Sequence, residues 1–402
     1  MKNYYRIAIT ALLLSNLTGC MSGWEKSSNY VDRTIGCLFD SELHDSSEPD
    51  TAAMKEMEQI MTDAHDQFAA QVTTVWGYAE MQMPSRKQWV QYDNHMMTRT
   101  IMDFEHGELR IEHLMEPDES EHHAHQMLDE AAHQAMHETV ADLDEHDGEM
   151  HIARQLAEAH GMQMIELEKP KGAETKPILN ELVDDRSLES LDESGMRLTP
   201  VAGNDGVERS KLSVRIPFKP GFINKLARRY QASVTKYARD YAVPPSLILA
   251  IIKTESAFNP RAVSPIPAYG LMQLVPRSGA LDAYLFVYGE KRVLGPDYLF
   301  EPGNNIQLGV AYLNLLNSRY LRSIEDPLSR LYCAIAAYNT GAGNVARAFI
   351  GTTNISKAAS IINALTPEQV FEHLKTRLPY EETQRYIVKV TEARDRFSDW
   401  DA

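Results

Sequence analysis

The sequence predicts an α+β chain of unequal parts, a smaller α+β domain followed by a mostly α domain. Three observations carry that expectation. Residues Met96–Phe104 and Leu109–Leu114 alternate apolar and polar around a turn at Glu105–Glu108, the pattern of a half-buried hairpin. Lys211–Phe218 alternates in the same way, and Pro220-Gly221 follows as a boundary. Beyond that boundary the apolar positions recur at helical spacing almost to the C-terminus. A chain of 402 residues is long enough for two or three domains with a sizeable core.

The elements follow in order. Residues 1–19 read as a signal peptide: a basic start, the apolar run Ile7–Leu14, then Ser15–Cys20 as a processing site. The apolar run is too short to span a bilayer as a mature helix. Residues 20–50 are polar and irregular, the composition of a tether. A helix is expected over 51–74, α+β structure over 75–115, and a strongly amphipathic helix over 120–145. In that helix Ala124, Leu128, Ala131, Ala135 and Thr139 share a face, with Glu130, His133 and His137 opposite. Acids, Pro and Gly between 168 and 210 read as a linker or insertion, and a last strand is expected at 211–218. Helices are expected at 222–241, 245–258, 304–318, 328–338, 342–350 and 381–397. The domains are thus placed at 51–220 and 221–402.

Charge is distributed unevenly. Residues 1–200 hold 39 Asp and Glu against 15 Lys and Arg, a net −24, whereas residues 201–402 hold 18 against 25, a net +7. Two readings fit: a cationic half that meets an anionic polymer, or charges that keep each half soluble. The basic residues are interleaved with apolar helix positions and form no basic stripe, which excludes a nucleic-acid partner. Eleven of the 14 histidines lie between His95 and His160. His133 and His137 have the i, i+4 spacing of a zinc pair, but on a polar face and without an H-E-x-x-H pattern. A solvated, pH-responsive surface is the expectation there, with no metal. Cys333 sits in the apolar run Leu331–Ala337 as a small core residue. Sequence alone does not decide whether it pairs with Cys37.

Glu255 is the residue that points to chemistry. Pro244-Pro245 starts a helix whose apolar stripe is Ile248, Ile251 and Ile252, and Glu255 falls on that stripe. A carboxyl on a core-facing stripe loses hydration, which favours its protonated form. Such a group can donate a proton near neutral pH. The alternative is a Glu at the stripe's end that reaches solvent or pairs with an Arg. Arg261 and Arg277 flank it in sequence, and no other Asp or Glu occurs before Asp282.

The residues after Glu255 match a known pattern. T-E-S-A-F-N-P-R-A-V-S-P-I-P-A-Y-G-L-M-Q-L at Thr254–Leu274, A-Y-N-T-G-A-G at Ala337–Gly343 and E-T-Q-R-Y-I-V-K-V at Glu382–Val390 resemble, in order, the motifs of the soluble lytic transglycosylase domain. Y-L-F-E-P-G-N-N-I-Q-L-G-V-A-Y-L at Tyr298–Leu313 also fits. Tyr298, Leu299, Phe300 and Pro302 read as scaffold. Trp76-Gly77, W-V-Q-Y-D at Trp89–Asp93 and T-R-T-I-M-D-F from Thr98 are similar, more loosely, to the N-terminal domain of a membrane-bound branch of that family. L-T-G-C at Leu17–Cys20 resembles a bacterial lipobox, which implies cleavage before Cys20 and acylation of its thiol. Met21 replaces the Asp of inner-membrane retention, so the resemblance implies a lipid anchor in the outer membrane, facing the periplasm.

The resemblance implies a lysozyme-like fold for 221–402 and cleavage of peptidoglycan glycan strands without metal or organic cofactor. Ordinary glycosidases use two carboxylates, whereas the matched motifs supply one. In the implied mechanism Glu255 protonates the β-1,4 oxygen between N-acetylmuramic acid and N-acetylglucosamine, then acts as base to close a 1,6-anhydro ring. Ser264, Gly270, Gln273, Tyr338, Asn339 and Tyr386 are the implied substrate-binding positions. Tyr338 would bond the acid or pack on a sugar, Gly270 would allow close approach, and Tyr386 would close over Glu255. Thr340 departs from the small residue usual there. A goose-type lysozyme that hydrolyses the same bond, or a non-catalytic wall-binding scaffold, are the alternatives. Which protein partners the N-terminal half recruits is left open by the sequence.

Overall fold

A computed structural model describes residues 50–93, 95–162, 175–184, 197–265 and 267–402, with side chains from Lys55 onward. The expected signal peptide, Cys20, Cys37 and the tether lie outside the described residues, as does much of the expected linker. The described residues fall in one compact unit.

Five antiparallel strands form one sheet in the order β1-β2-β3-β5-β4: β1 Gln88–Tyr92, β2 Thr98–Asp103, β3 Glu108–Met115, β4 Arg197–Ala202 and β5 Glu208–Pro217. The expected hairpin is β2–β3, with Thr100 opposite Ile111. Its turn needs Gly107, whose φ is +72° and whose missing Cβ leaves room for the Phe222 ring. One face of the sheet buries Leu109 and Ile111 against Ala124 and Leu128 of the Glu121–His137 helix. The other buries charge. Arg99, 1% exposed, lies over the Trp76 ring at 3.8 Å and donates from Nε to Glu112 at 2.6 Å. Trp76 ends the Asp50–Trp76 helix, which packs along the Gly148–Ala159 helix.

This half departs from expectation in three places. The single helix expected at 120–145 is two, Glu121–His137 and Val140–Glu145, because Thr139 and Asp142 form a capping box that starts the second. The buried face of the first uses Ala132 where Ala131 was expected, since Ala131 is only partly covered. Strand β4 lies in the stretch read as linker. It is an edge strand with Pro200 in it and mostly exposed side chains, so it carries no alternation to read.

The second half is helical, as expected. Tyr230 breaks the expected 222–241 helix into Phe222–Arg229 and Gln231–Tyr241. Pro245–Ser256 is the central helix: Leu247 to Ile252 are all buried, and it packs against the Glu381–Arg396 helix. Pro302–Leu315, Pro327–Thr340 and Ala342–Ile350 match expectation, and the first continues as a π-turn over Leu316–Tyr320. Four further helices, Gly279–Tyr288, Pro296–Phe300, Ile355–Ile362 and Pro367–Arg377, complete this half. Cys333 is a buried free thiol. No described helix is long and apolar enough to cross a membrane.

Arg261 and Arg277, which flank Glu255 in sequence, turn away from it to the acidic half. Arg261 is 2% exposed and pairs with Asp144 and Asp147, each at 2.7 Å. Arg277 pairs with Glu58 at 2.5 Å, and Arg154 joins Asp144 to Asp297. Part of the charge asymmetry is therefore spent inside the molecule, between its two halves. His133 and His137 are exposed, and His133 faces Asp129 at 3.7 Å. Among the described residues no group of three His, Cys, Asp or Glu side chains is arranged for a metal.

Candidate active site

Glu255 occupies the last turn of the central helix with its carboxyl 5% exposed. Ile248, Ile251 and Ile252 below it are wholly buried, as the stripe requires. The helix stops because Ala257 and Phe258 both take left-handed φ, at 51° and 72°. These are rare values for residues with a Cβ. Ser256 holds the reversal: its hydroxyl donates to Leu271 O at 2.8 Å and accepts from Phe258 N at 3.2 Å. That bond ties the loop after Tyr269 to the helix end beside the acid.

Asn305 organises the same loop. Fully buried, it accepts from Met272 N at 2.7 Å and donates to Tyr269 O and Leu299 O at 2.8 and 2.7 Å. A buried amide with every group used is a rigid support. Asn305 carries no signal of its own in the sequence, although it lies inside the Tyr298–Leu313 motif. At Gly270 (φ +75°) a Cβ would collide with Leu299 O and Asn305, so the missing side chain lets these groups close on the loop.

Gln273, 8% exposed and at φ 48°, donates to Ala262 O and Gly270 O, while its Oε1 is buried with no partner. A fixed amide with an unused acceptor suits an N–H donor on a ligand. Ser264 Oγ accepts from Ala268 N at 3.1 Å, which makes it a turn residue in this structure. Asn339 Oδ1 accepts from Thr383 Oγ1 at 2.7 Å, joining the Pro327–Thr340 and Glu381–Arg396 helices.

The two expected tyrosines differ. Tyr338 donates to Met272 O at 2.8 Å and stacks obliquely near Tyr312, so it holds the loop and does not bond the acid. Its ring lies close enough to Glu255 to feel the carboxylate charge. Tyr386, 5% exposed, brings its hydroxyl to the Glu255 carboxyl, as expected. The contact is electrostatic and falls short of a well-formed hydrogen bond, which leaves the hydroxyl without another partner. Burial, and then the Glu255 charge, raise both phenols well above their usual range, so they remain proton donors.

Burial raises the Glu255 pKa from 4.5 to about 7. The Tyr386 hydroxyl and the Arg86 and Lys87 cations oppose that rise, and the Glu382 charge adds to it. Arg86 Nη1 stands 3.9 Å from Glu255 Oε2, and its Nη2 stands 3.5 Å from Glu382 Oε1. Glu382, which opens the last of the matched motifs, is thus a half-exposed second carboxylate across a shared guanidinium, a placement that sequence spacing did not reveal. A carboxyl that titrates near 7 beside proton-donating phenols can give and recover a proton at neutral pH.

The Transglycosylase SLT domain matches residues 232–361, and the N-terminal domain of membrane-bound lytic murein transglycosylase C matches residues 52–136. The chain is 33% identical over 334 residues to the membrane-bound lytic murein transglycosylase C of Salmonella arizonae, covering 82% of this chain and 86% of the relative. It is 33% identical over 409 residues to the protein of that name from Shigella sonnei, covering 99% of each. A solved structure, an inactive mutant of lytic transglycosylase Slt from Pseudomonas aeruginosa, aligns with a TM-score of 0.33 at 24% identity. That alignment covers 44% of this chain and 27% of the other. With both parts matched and the relatives covered nearly end to end, the chain belongs to the membrane-bound lytic murein transglycosylase C family and is a lytic transglycosylase.

Proposed function

We propose that this protein cleaves the β-1,4 bond between N-acetylmuramic acid and N-acetylglucosamine in peptidoglycan, with Glu255 as first the acid and then the base. The observation that carries the reading is a wholly walled carboxyl whose pKa is lifted to about 7. Glu255 gives its proton to the glycosidic oxygen as the C1–O bond breaks. The sugar's own acetamide shares the positive charge left on C1. The carboxylate then takes the proton of the C6 hydroxyl, O6 bonds to C1, and Glu255 ends protonated as it began. No water is consumed, so the new end is a 1,6-anhydro sugar.

Around that acid, the unpaired Gln273 Oε1 is the acceptor for an N–H on the glycan. Tyr386 follows the charge on Glu255 as it changes, and Ser264 and Asn339 shape the walls from their turn and helix junction. We further propose that acylated Cys20 holds the enzyme at the outer membrane, facing the periplasm. The L-T-G-C sequence before Met21 supports this placement, and the relatives are named membrane-bound. Mass spectrometry of digested sacculi tests the chemistry. Anhydro ends are expected, and ends heavier by a water molecule would assign a lysozyme-type hydrolysis instead.

A further inference from the structure

The N-terminal half reaches the acid directly. Ser85–Lys87 lead into β1, and Asn259, wholly buried, donates to the carbonyls of Ser85 and Arg86 at 3.2 and 3.4 Å. Asn259 follows Glu255 by one turn of chain, and its Oδ1 also accepts from Arg261 N at 3.0 Å. The backbone under Arg86 is thereby fixed to the segment that carries the acid. From there the guanidinium, 40% exposed, lies between Glu255 and Glu382. Arg86 falls within the match to the N-terminal domain and outside the match to the SLT domain.

We propose that Arg86 is a positioning residue of the catalytic site, lent by the N-terminal sheet, that bridges Glu255 and Glu382 and supports the carboxylate that Glu255 becomes when it gives up its proton. The inference rests on the reading of Glu255 as acid and base. Burial alone disfavours the charged form and would leave Glu255 holding its proton too tightly to be a ready acid. The mechanism passes through the carboxylate between its two proton transfers, and a cation at 3.9 Å supports that charged state. Each element around the carboxyl contributes. Arg86 and Lys87 face it from the β1 side, Tyr338 from the Pro327–Thr340 helix, and Glu382 and Tyr386 from the Glu381–Arg396 helix. Lys87 is itself paired with Glu105, and the tyrosines stay neutral, so Arg86 is the cation closest to the task.

The test is the pH dependence of anhydro-end release from soluble glycan strands by the full chain. Arg86→Gln is expected to lower the neutral-pH rate about tenfold and to move the alkaline limb of kcat/KM upward by roughly half a pH unit or more. Arg86→Lys, which keeps the charge, is expected to hold the limb in place. Glu382→Gln is expected to move it downward, because the opposing charge is gone and the guanidinium is free for Glu255. A merely structural role for Arg86 would lower the rate and leave the limb where it is. If Arg86→Gln does not fold, the Glu382→Gln limb decides: unmoved or raised, it overturns the proposal. Glu255→Gln separates the two levels. Full activity in that variant removes the reading of the acid itself, whereas an inactive Glu255→Gln beside an unshifted Arg86→Gln removes only the role of Arg86.

Discussion

Glu255→Gln is expected to stop glycan cleavage and, above neutral pH, to make the folded protein more stable than wild type. The loss of rate should be about a thousandfold, the scale of a positioned acid–base group, because the amide fits the site and transfers no proton. The stability gain follows from linkage. In the unfolded chain the carboxyl titrates at its ordinary 4.5, and in the fold at about 7. Between those values the folded state binds the extra proton, so stability falls as pH rises across that window. Below 4.5 both states are protonated and nothing is lost. Above 7 both are charged, and the burial of that charge costs about 3 kcal/mol. Glutamine carries no charge to bury, so the variant should melt above wild type at pH 8 and level with it near pH 4. Melting curves and release assays on the same preparations check both halves. A variant that cleaves normally, or that melts below wild type at pH 8, contradicts the account.

Arg261→Ala is expected to destabilise the protein by about 3–5 kcal/mol, the scale for breaking a buried ion pair from one side. Arg261 is almost wholly enclosed, holds Asp144 and Asp147 at 2.7 Å each, and lies 3.9 Å over the Phe300 ring. Asp144 would retain Arg154. Asp147, 7% exposed, would retain only its bond from Met150 N as the cap of the Gly148–Ala159 helix. A nearly bare buried carboxylate is the main cost. The melting temperature should fall by several degrees. Arg385→Ala, which removes an exposed pair with Glu381, should leave it unchanged. Equal melting of the two variants would show that the buried network does not fasten the halves together.

The reach of sequence reasoning is visible in these same residues. Glu255 was legible because helical spacing alone puts it on the Ile248–Ile251–Ile252 stripe, and the fold buries that stripe. Tyr386 was legible as a matched motif, and its hydroxyl does approach the acid. Arg86 was not legible. It lies in another half of the chain, and the fold brings it to Glu255, with Asn259 bonded to its backbone. Arg261 shows the converse failure: it is near the acid in sequence, yet its side chain is drawn into Asp144 and Asp147. Local periodicity reports which face of a helix is covered but not what covers it. Strand β4 was missed for a related reason, since an exposed edge strand containing Pro200 has little pattern of its own. The break at Thr139, by contrast, was written in the Thr139–Asp142 capping pair and overridden by a continuous apolar face.

Carbon NMR of protein labelled at the glutamate side-chain carboxyls reads whether burial holds Glu255 at a pKa where it can act as acid and base in one cycle. The Glu255 signal is the one absent from Glu255→Gln. Its titration is expected to centre at about pH 7. A midpoint near the ordinary glutamate value of 4.5 would contradict the account.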